Sequence, residues 1–185
     1  MDWGAGHTVV VVPVGELEPF VLARTRHYDE AWVSTDPAFT HAHVTLLAPW
    51  VREPSRDDLA VLGAIAATTP PFEFSASHVQ QFPDGTIHLP ADPPDDLSRL
   101  MRRIADAFPE HPPYGGAFGS IDTLTPHVTL DRAAGGVTVR STQRLLADLV
   151  PTTCAADRIE VHWYAERDCR VLASFALAPI ASLRR

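Results

Sequence analysis

Short apolar runs, broken at regular intervals by proline, glycine and aspartate, divide the chain into strands and amphipathic helices. Residues 8–13 hold four consecutive valines and end on a proline, the pattern of a buried strand. Residues 16–28 follow with helical spacing, with Leu17, Phe20, Val21 and Arg24 as neighbours on one side. The segment His43-Val44-Thr45-Leu46-Leu47 is rich in β-formers and is stopped by Pro49. Ser55 stands where it can cap a helix carrying Leu59, Leu62, Ile65 and Ala66. Residues 72–82 alternate as one further strand.

The second half runs through the same order. Residues 86–89 form a short strand, and residues 95–108 a helix with Leu97, Leu100, Met101 and Ile104 on its apolar face. A loop rich in proline and glycine, residues 111–119, leads into Pro126-His127-Val128-Thr129-Leu130. Residues 141–149 read as a helix, and residues 158–165 and 170–178 as a closing strand pair. Asp84-Gly85 and Gly135-Gly136 mark turns. Each half therefore reads strand, helix, strand, helix, strand, and the middle strand of each contains His-Val-Thr-Leu. His43 and His127 lie 84 residues apart in a chain of 185. An identical tetrapeptide at equivalent points of two similar halves implies a duplication: one α+β domain, residues 1–185, with halves of roughly 1–82 and 83–185.

Composition narrows the chemistry. The formal charge of −8 argues against sequence-blind binding to duplex DNA, which needs a basic face, but leaves a small anionic substrate open. All 15 basic residues are arginine. Without lysine, a Walker P-loop, a Schiff base and a lysine–nucleotide adduct are all excluded. Cys154 and Cys169 lack a metal-like CxxC spacing and read as free thiols of a reducing compartment. Met1-Asp2-Trp3-Gly4 has no basic leader region, and the valine run is too short to cross a membrane, which together suggest a cytoplasmic protein.

On a strand, residues i and i+2 share a face, so His43 with Thr45 and His127 with Thr129 each present an imidazole beside a hydroxyl. Brought together, the two pairs suit a phosphodiester. One neutral imidazole takes a proton from the attacking hydroxyl or water, and the other, protonated, gives one to the leaving oxygen. The threonines donate hydrogen bonds to the non-bridging oxygens. A zinc site is the chemical rival: His41 and His43 have His-x-His spacing, and His127, Asp122 or Asp131 could complete the set. Against it, the second copy has Thr125 where the first has His41, and both threonines would be surplus. His7, His78, His88 and His162 have no partner spacing and read as structural or exposed.

The two tetrapeptides, the second preceded by Pro126 and the loop Pro112-Pro113-Tyr114-Gly115-Gly116, resemble the paired His-x-Thr/Ser motifs of the 2H phosphoesterase superfamily. The bacterial 2′-5′ RNA ligase-like branch is the most similar. The resemblance implies a bilobal α+β fold with two antiparallel sheets lining a central cleft. It also implies acid–base roles for His43 and His127, phosphate binding by Thr45 and Thr129, and no metal or cofactor. Arg132 falls where relatives place a basic residue, as an extra phosphate contact or as a solvated arginine beside Asp131. Ala48 replaces an aromatic common in relatives, so base stacking would pass to Trp50 or Tyr114, although Trp50 also reads as a core residue. The implied activity is opening of 2′,3′-cyclic phosphates at RNA ends or on nucleotides to give 2′-phosphates, with 2′-5′ ligation as the reverse-type reaction, by a monomer. A non-catalytic module that binds RNA ends or cyclic nucleotides is the alternative class. Cleavage of ADP-ribose cyclic phosphate or of cyclic oligonucleotides is a sister activity.

Overall fold

The computed structural model describes residues 6–178, so the N-terminal Met1-Asp2-Trp3-Gly4 lies outside the described residues. Strand β1 (His7–Pro13) passes through a 3-10 turn at Gly15–Leu17 into α1 (Glu18–Tyr28), where Pro19 fits the first turn because the missing N–H has no helical partner there. Next come β2 (His43–Leu47) and α2 (Arg56–Ala67). Ser55 caps α2 in a reciprocal box: its hydroxyl accepts from the Asp58 N–H at 3.1 Å, and its own N–H donates to the Asp58 carboxylate at 2.8 Å. Strands β3 (Phe72–Ala76) and β4 (Gln80–Gln81) complete the first half. The second half supplies β5 (Thr86–Pro90), α3 (Asp95–Ala107), β6 (His127–Arg132), α4 (Val139–Leu146), β7 (Thr152–Ala156), β8 (Arg158–Tyr164) and β9 (Arg170–Ala176).

A seven-stranded antiparallel sheet has the order β4-β5-β6-β2-β1-β8-β9, and β3 pairs with β7 in a separate two-stranded sheet. The order makes the duplication visible in space. Outward from the β6–β2 seam, β5 and β4 on one side answer β1 and β8 on the other, and β9 is an addition at one edge. The halves share this sheet, and both motif strands lie at its centre.

One face of the sheet carries the core. Val10, Val12, Val44, Leu46, Val128 and Leu130 are each at most 3% exposed and pack with Leu62 and Ile65 of α2 and Leu97, Leu100 and Ile104 of α3. Each fully buried aliphatic side chain contributes about 1.5–3 kcal/mol of transfer free energy, so this face outweighs any single polar contact in the molecule.

Three elements differ from the sequence reading. Residues 72–82 are two strands in different sheets, because β3 is held beside Asp92 by reciprocal backbone hydrogen bonds from Ser75 at 2.7 and 3.0 Å, and the chain then crosses over. Alternation reads the same through such a change of sheet. Strand β7, Thr-Thr-Cys-Ala-Ala, is too small and polar to announce itself and is recognised by its pairing with β3. Helix α4 begins earlier than expected, under a Thr138 cap, and ends at Leu146 because Ala147 takes φ 42°, outside the helical region.

Leu46→Ala, which opens a cavity directly beneath the seam, is expected to cost about 2–5 kcal/mol. Urea denaturation at constant m-value checks this.

Candidate active site

The open face of the sheet is set by strand alternation. In β2, Val44 and Leu46 turn into the core, so His43 and Thr45 turn outward and are half-buried. In β6, Val128 and Leu130 turn inward, leaving His127 half-buried and Thr129 exposed. Val44 pairs with Val128. Carried one residue either way in an antiparallel ladder, this register puts His43 across from Thr129 and His127 across from Thr45. Each imidazole thus neighbours the hydroxyl of the other half as well as its own.

Both rings are oriented in the same manner. His43 Nδ1 donates to the His41 carbonyl at 2.8 Å, and His127 Nδ1 donates to the Thr125 carbonyl at 2.7 Å. A carbonyl can only accept, so Nδ1 carries the proton and, in the neutral ring, Nε2 is left as the acceptor.

Each ring is also backed by a second imidazole and a phenylalanine. His162 lies edge-on to His43 with centroids 6.0 Å apart and packs on Phe39 at 4.3 Å. His88 lies edge-on to His127 at 5.1 Å and stacks on Phe82 at 3.7 Å. His162 is fully buried, and its Nε2 is 2.8 Å from the buried Glu160 carboxylate. Burial raises the Glu160 pKa, but bonds from His162 and Arg158 outweigh it and hold the carboxyl below its ordinary range. His43 is driven down to about 3, chiefly by desolvation, then by the charge of His162 and the neighbouring His127 and His41, against its bond to the His41 carbonyl. His127 is also lowered by burial, but its carbonyl bond and Asp84 pull it back upward.

A cleft of ≈ 470 Å³ opens over this face, bordered by His43, Thr129, Arg132 and Tyr164 on the sheet and by Arg24, Tyr28 and Trp32 from α1 and the turn after it. Asp131, whose side chain is fully buried, pairs with Arg24 Nε at 2.6 Å and accepts from the Tyr28 hydroxyl. Tyr114 packs beside Thr45 rather than along this cleft. Its N–H donates to the Ala48 carbonyl at 2.6 Å, its hydroxyl bonds Thr45, and its ring lies near Val9 and Val11.

The candidates from sequence fare differently. Arg132 borders the cleft, exposed, with its guanidinium 3.4 Å from the Asp84 carbonyl. Trp50 is a core residue, 3% exposed and edge-on to Phe108, and has no open face for a base. The zinc reading fails on His41. That ring is buried, its Nδ1 donates to Glu18 at 2.7 Å, and its Nε2 accepts from the Ser34 N–H at 3.1 Å, which leaves no lone pair for a metal. Asp122 is ion-paired with Arg102 at 2.5 Å and Asp131 with Arg24, so neither completes a coordination sphere.

A model of the 2′-5′ RNA ligase superfamily matches residues 13–168, which takes in both motifs and most of the chain. The chain belongs to the 2′-5′ RNA ligase superfamily. No curated protein matches it. Among solved structures, E. coli LigT in apo form aligns with a TM-score of 0.57 at 18% identity, covering 94% of this chain and 98% of the other. TT0787 of Thermus thermophilus aligns with a TM-score of 0.56 at 19% identity, over 92% and 97%. E. coli LigT complexed with 3′-AMP gives 0.54 at 18%, over 94% and 99%. At these identities the likeness establishes the fold. Membership in the superfamily supports an activity of the phosphoesterase or ligase kind.

Within this superfamily member, His88 and His162, read from sequence as structural or exposed, are buried behind the motif histidines, whereas Tyr164, Arg24 and Tyr28, given no role at the site from sequence, border the cleft from other elements. One signal was available. Glu160, His162 and Tyr164 recur at every second position of a strand whose intervening residue Val161 is fully buried. Polar groups in that period mark a second purposeful face.

The lowered histidines carry a stability consequence. Folded His43 stays neutral down to about 3, while unfolded His43 takes a proton below about 6.5, so its contribution is intact above the unfolded value and is lost as pH falls toward the folded one. His43→Gln is expected to flatten the fall in urea midpoint between about pH 6.5 and 4. Parallel curves for the two proteins would show that His43 titrates normally.

Proposed function

We propose that this protein opens 2′,3′-cyclic phosphates of nucleotides or RNA ends, using His43 and His127 as the acid–base pair. The observation that carries the reading is the arrangement at the seam. Two imidazoles on neighbouring antiparallel strands have Nδ1 tied to backbone carbonyls, which leaves each Nε2 as the ring's acceptor with a hydroxyl beside it, and His43 and Thr129 border the cleft.

The reaction then proceeds by in-line displacement. Neutral His43 Nε2 takes a proton from water as the water oxygen bonds to phosphorus. The bond from phosphorus to the 3′ oxygen breaks, and His127, protonated at both nitrogens, delivers its Nε2 proton to that oxygen. The product is a 2′-phosphate with a free 3′-hydroxyl. Desolvation, which keeps His43 unprotonated, supports it as the base. Burial lowers His127 as well, but its carbonyl bond and Asp84 work against that, and a bound phosphate dianion or monoanion would favour the charged ring that the acid role needs. Thr45, Thr129 and, at the rim, Arg132 donate to the non-bridging oxygens as charge builds there. Replacing water by a 5′-hydroxyl of RNA gives a 2′-5′ phosphodiester by the same proton movements. None of these steps requires a metal ion. Solved LigT structures complexed with 3′-AMP, ATP and NADP+ support a cleft of this fold taking a nucleotide.

Turnover of adenosine 2′,3′-cyclic phosphate in the presence of EDTA is expected to fall about 10²–10⁴-fold in His43→Ala and in His127→Ala. A flat pH–rate profile, or activity only after adding zinc, would overturn the scheme. Thr129→Val, which removes one phosphate donor while keeping the strand shape, is expected to lower kcat by about 10–10²-fold, read in the same assay.

A further inference from the structure

The phosphate end of the cleft is accounted for by the seam, but the α1 side presents groups that this chemistry does not use. Tyr28 is 55% exposed, an unusual position for a large aromatic ring whose hydroxyl is fully engaged. The hydroxyl donates to Asp131 and accepts from Arg24 Nη2 at 2.9 Å, and the Arg24 guanidinium lies over the ring 4.9 Å from its centroid. The ring is therefore immobilised from one side while remaining open to solvent elsewhere.

Trp32 borders the same cleft from the 3-10 turn Glu30–Trp32. It is half-buried and makes no ring contact with another aromatic among the described residues. Its backbone is firmly placed. The Ala31 N–H donates to the Asp29 carboxylate at 2.9 Å, the Trp32 N–H to the Asp29 carbonyl at 3.1 Å, and the Arg167 N–H to the Ala31 carbonyl at 2.6 Å, which pins the turn to the β8–β9 connection. Two aromatic rings, one held by its hydroxyl and one carried on a fixed turn, beside Arg24 and Arg132 in a chain of charge −8, suit a ligand that is flat at one end and anionic at the other. A volume of ≈ 470 Å³ lies within the range of about 300–1,000 Å³ usual for a small-molecule site.

We propose that Trp32 and Tyr28 form a nucleobase-stacking subsite on the α1 side of the cleft. The proposal rests on the nucleotide reading above and deepens it. The base stacks on Trp32, with Tyr28 and the Arg24 guanidinium flanking it, while the phosphate meets the His-x-Thr pairs. Stacking on a π-face tolerates any base, so the subsite selects nucleotides over other phosphate esters without reading sequence.

Binding of 2′-AMP and of ribose 5-phosphate, which has sugar and phosphate but no base, to wild type, Trp32→Ala and Trp32→Phe by calorimetry tests this. Trp32→Ala is expected to weaken 2′-AMP about tenfold, the change that ~1.4 kcal/mol of stacking produces, and ribose 5-phosphate by less than about twofold. Trp32→Phe, which keeps a ring and guards against a folding defect, is expected to stay within about threefold of wild type for both. Equal losses for the two ligands in Trp32→Ala, unchanged 2′-AMP affinity, or no binding of 2′-AMP by wild type would overturn the subsite. Wild-type hydrolysis of the cyclic nucleotide, measured alongside, separates the two readings. Turnover with an unaffected Trp32→Ala affinity sinks the subsite alone, and Trp32-dependent binding without turnover sinks the reaction alone.

Discussion

The pairing of β2 with β6 through Val44 and Val128 is the constraint on which the rest of the molecule depends. Each half of the chain brings one outward imidazole and one outward hydroxyl, too little for the proposed phosphate site. Backbone hydrogen bonding between the two middle strands brings the pairs together, and the antiparallel sense crosses them so that each imidazole faces the hydroxyl of the other half. The apolar residues between them in sequence hold that register from below. A slip of one position would send His43 and Thr45 into the core and Val44 and Leu46 into the cleft, exchanging buried aliphatics for buried polar groups.

Around the seam, charge is buried only in matched form. Asp131 lies against Arg24 and Tyr28, and Glu160 against His162 and Arg158. Neither carboxylate is left to face the cleft unopposed. These pairs add little net stability, because desolvation offsets most of their attraction, but loss of one partner would strand the other. They contribute shape: one fixes α1 against β6, the other fixes the edge of the wall behind His43.

How much of this was legible in the sequence differs from residue to residue. His43, Thr45, His127 and Thr129 were placed together by a local rule, the period of two, and by a repeat seen on inspection. The order of elements in each half followed from similar short-range signals. Relationships between distant strands were not legible. His88 and His162 look like isolated histidines until β5 is laid beside β6, and β8 beyond β1 from β2. Trp50 sits close to the first motif in sequence, yet the chain turns it into the core toward Phe108. His41 has the spacing of a metal ligand, but Glu18 and Ser34, 23 and 7 residues away, occupy both its nitrogens. The change of sheet between β3 and β4 leaves no mark on alternation, and β7 exists as a strand only in partnership.

The orientation of the two imidazoles by main-chain carbonyls has an electrostatic consequence. Many histidines that handle protons are aligned by a carboxylate, which brings a full negative charge to the rear of the ring. A carbonyl two residues upstream does the same aligning with a dipole and no net charge, and it comes with the strand itself. In an acidic protein, a pair of carboxylates at those positions would have turned the floor of the cleft into a barrier against phosphate. With carbonyls there instead, the two rings are aligned without adding negative charge, which is what the proposed phosphate chemistry asks of them.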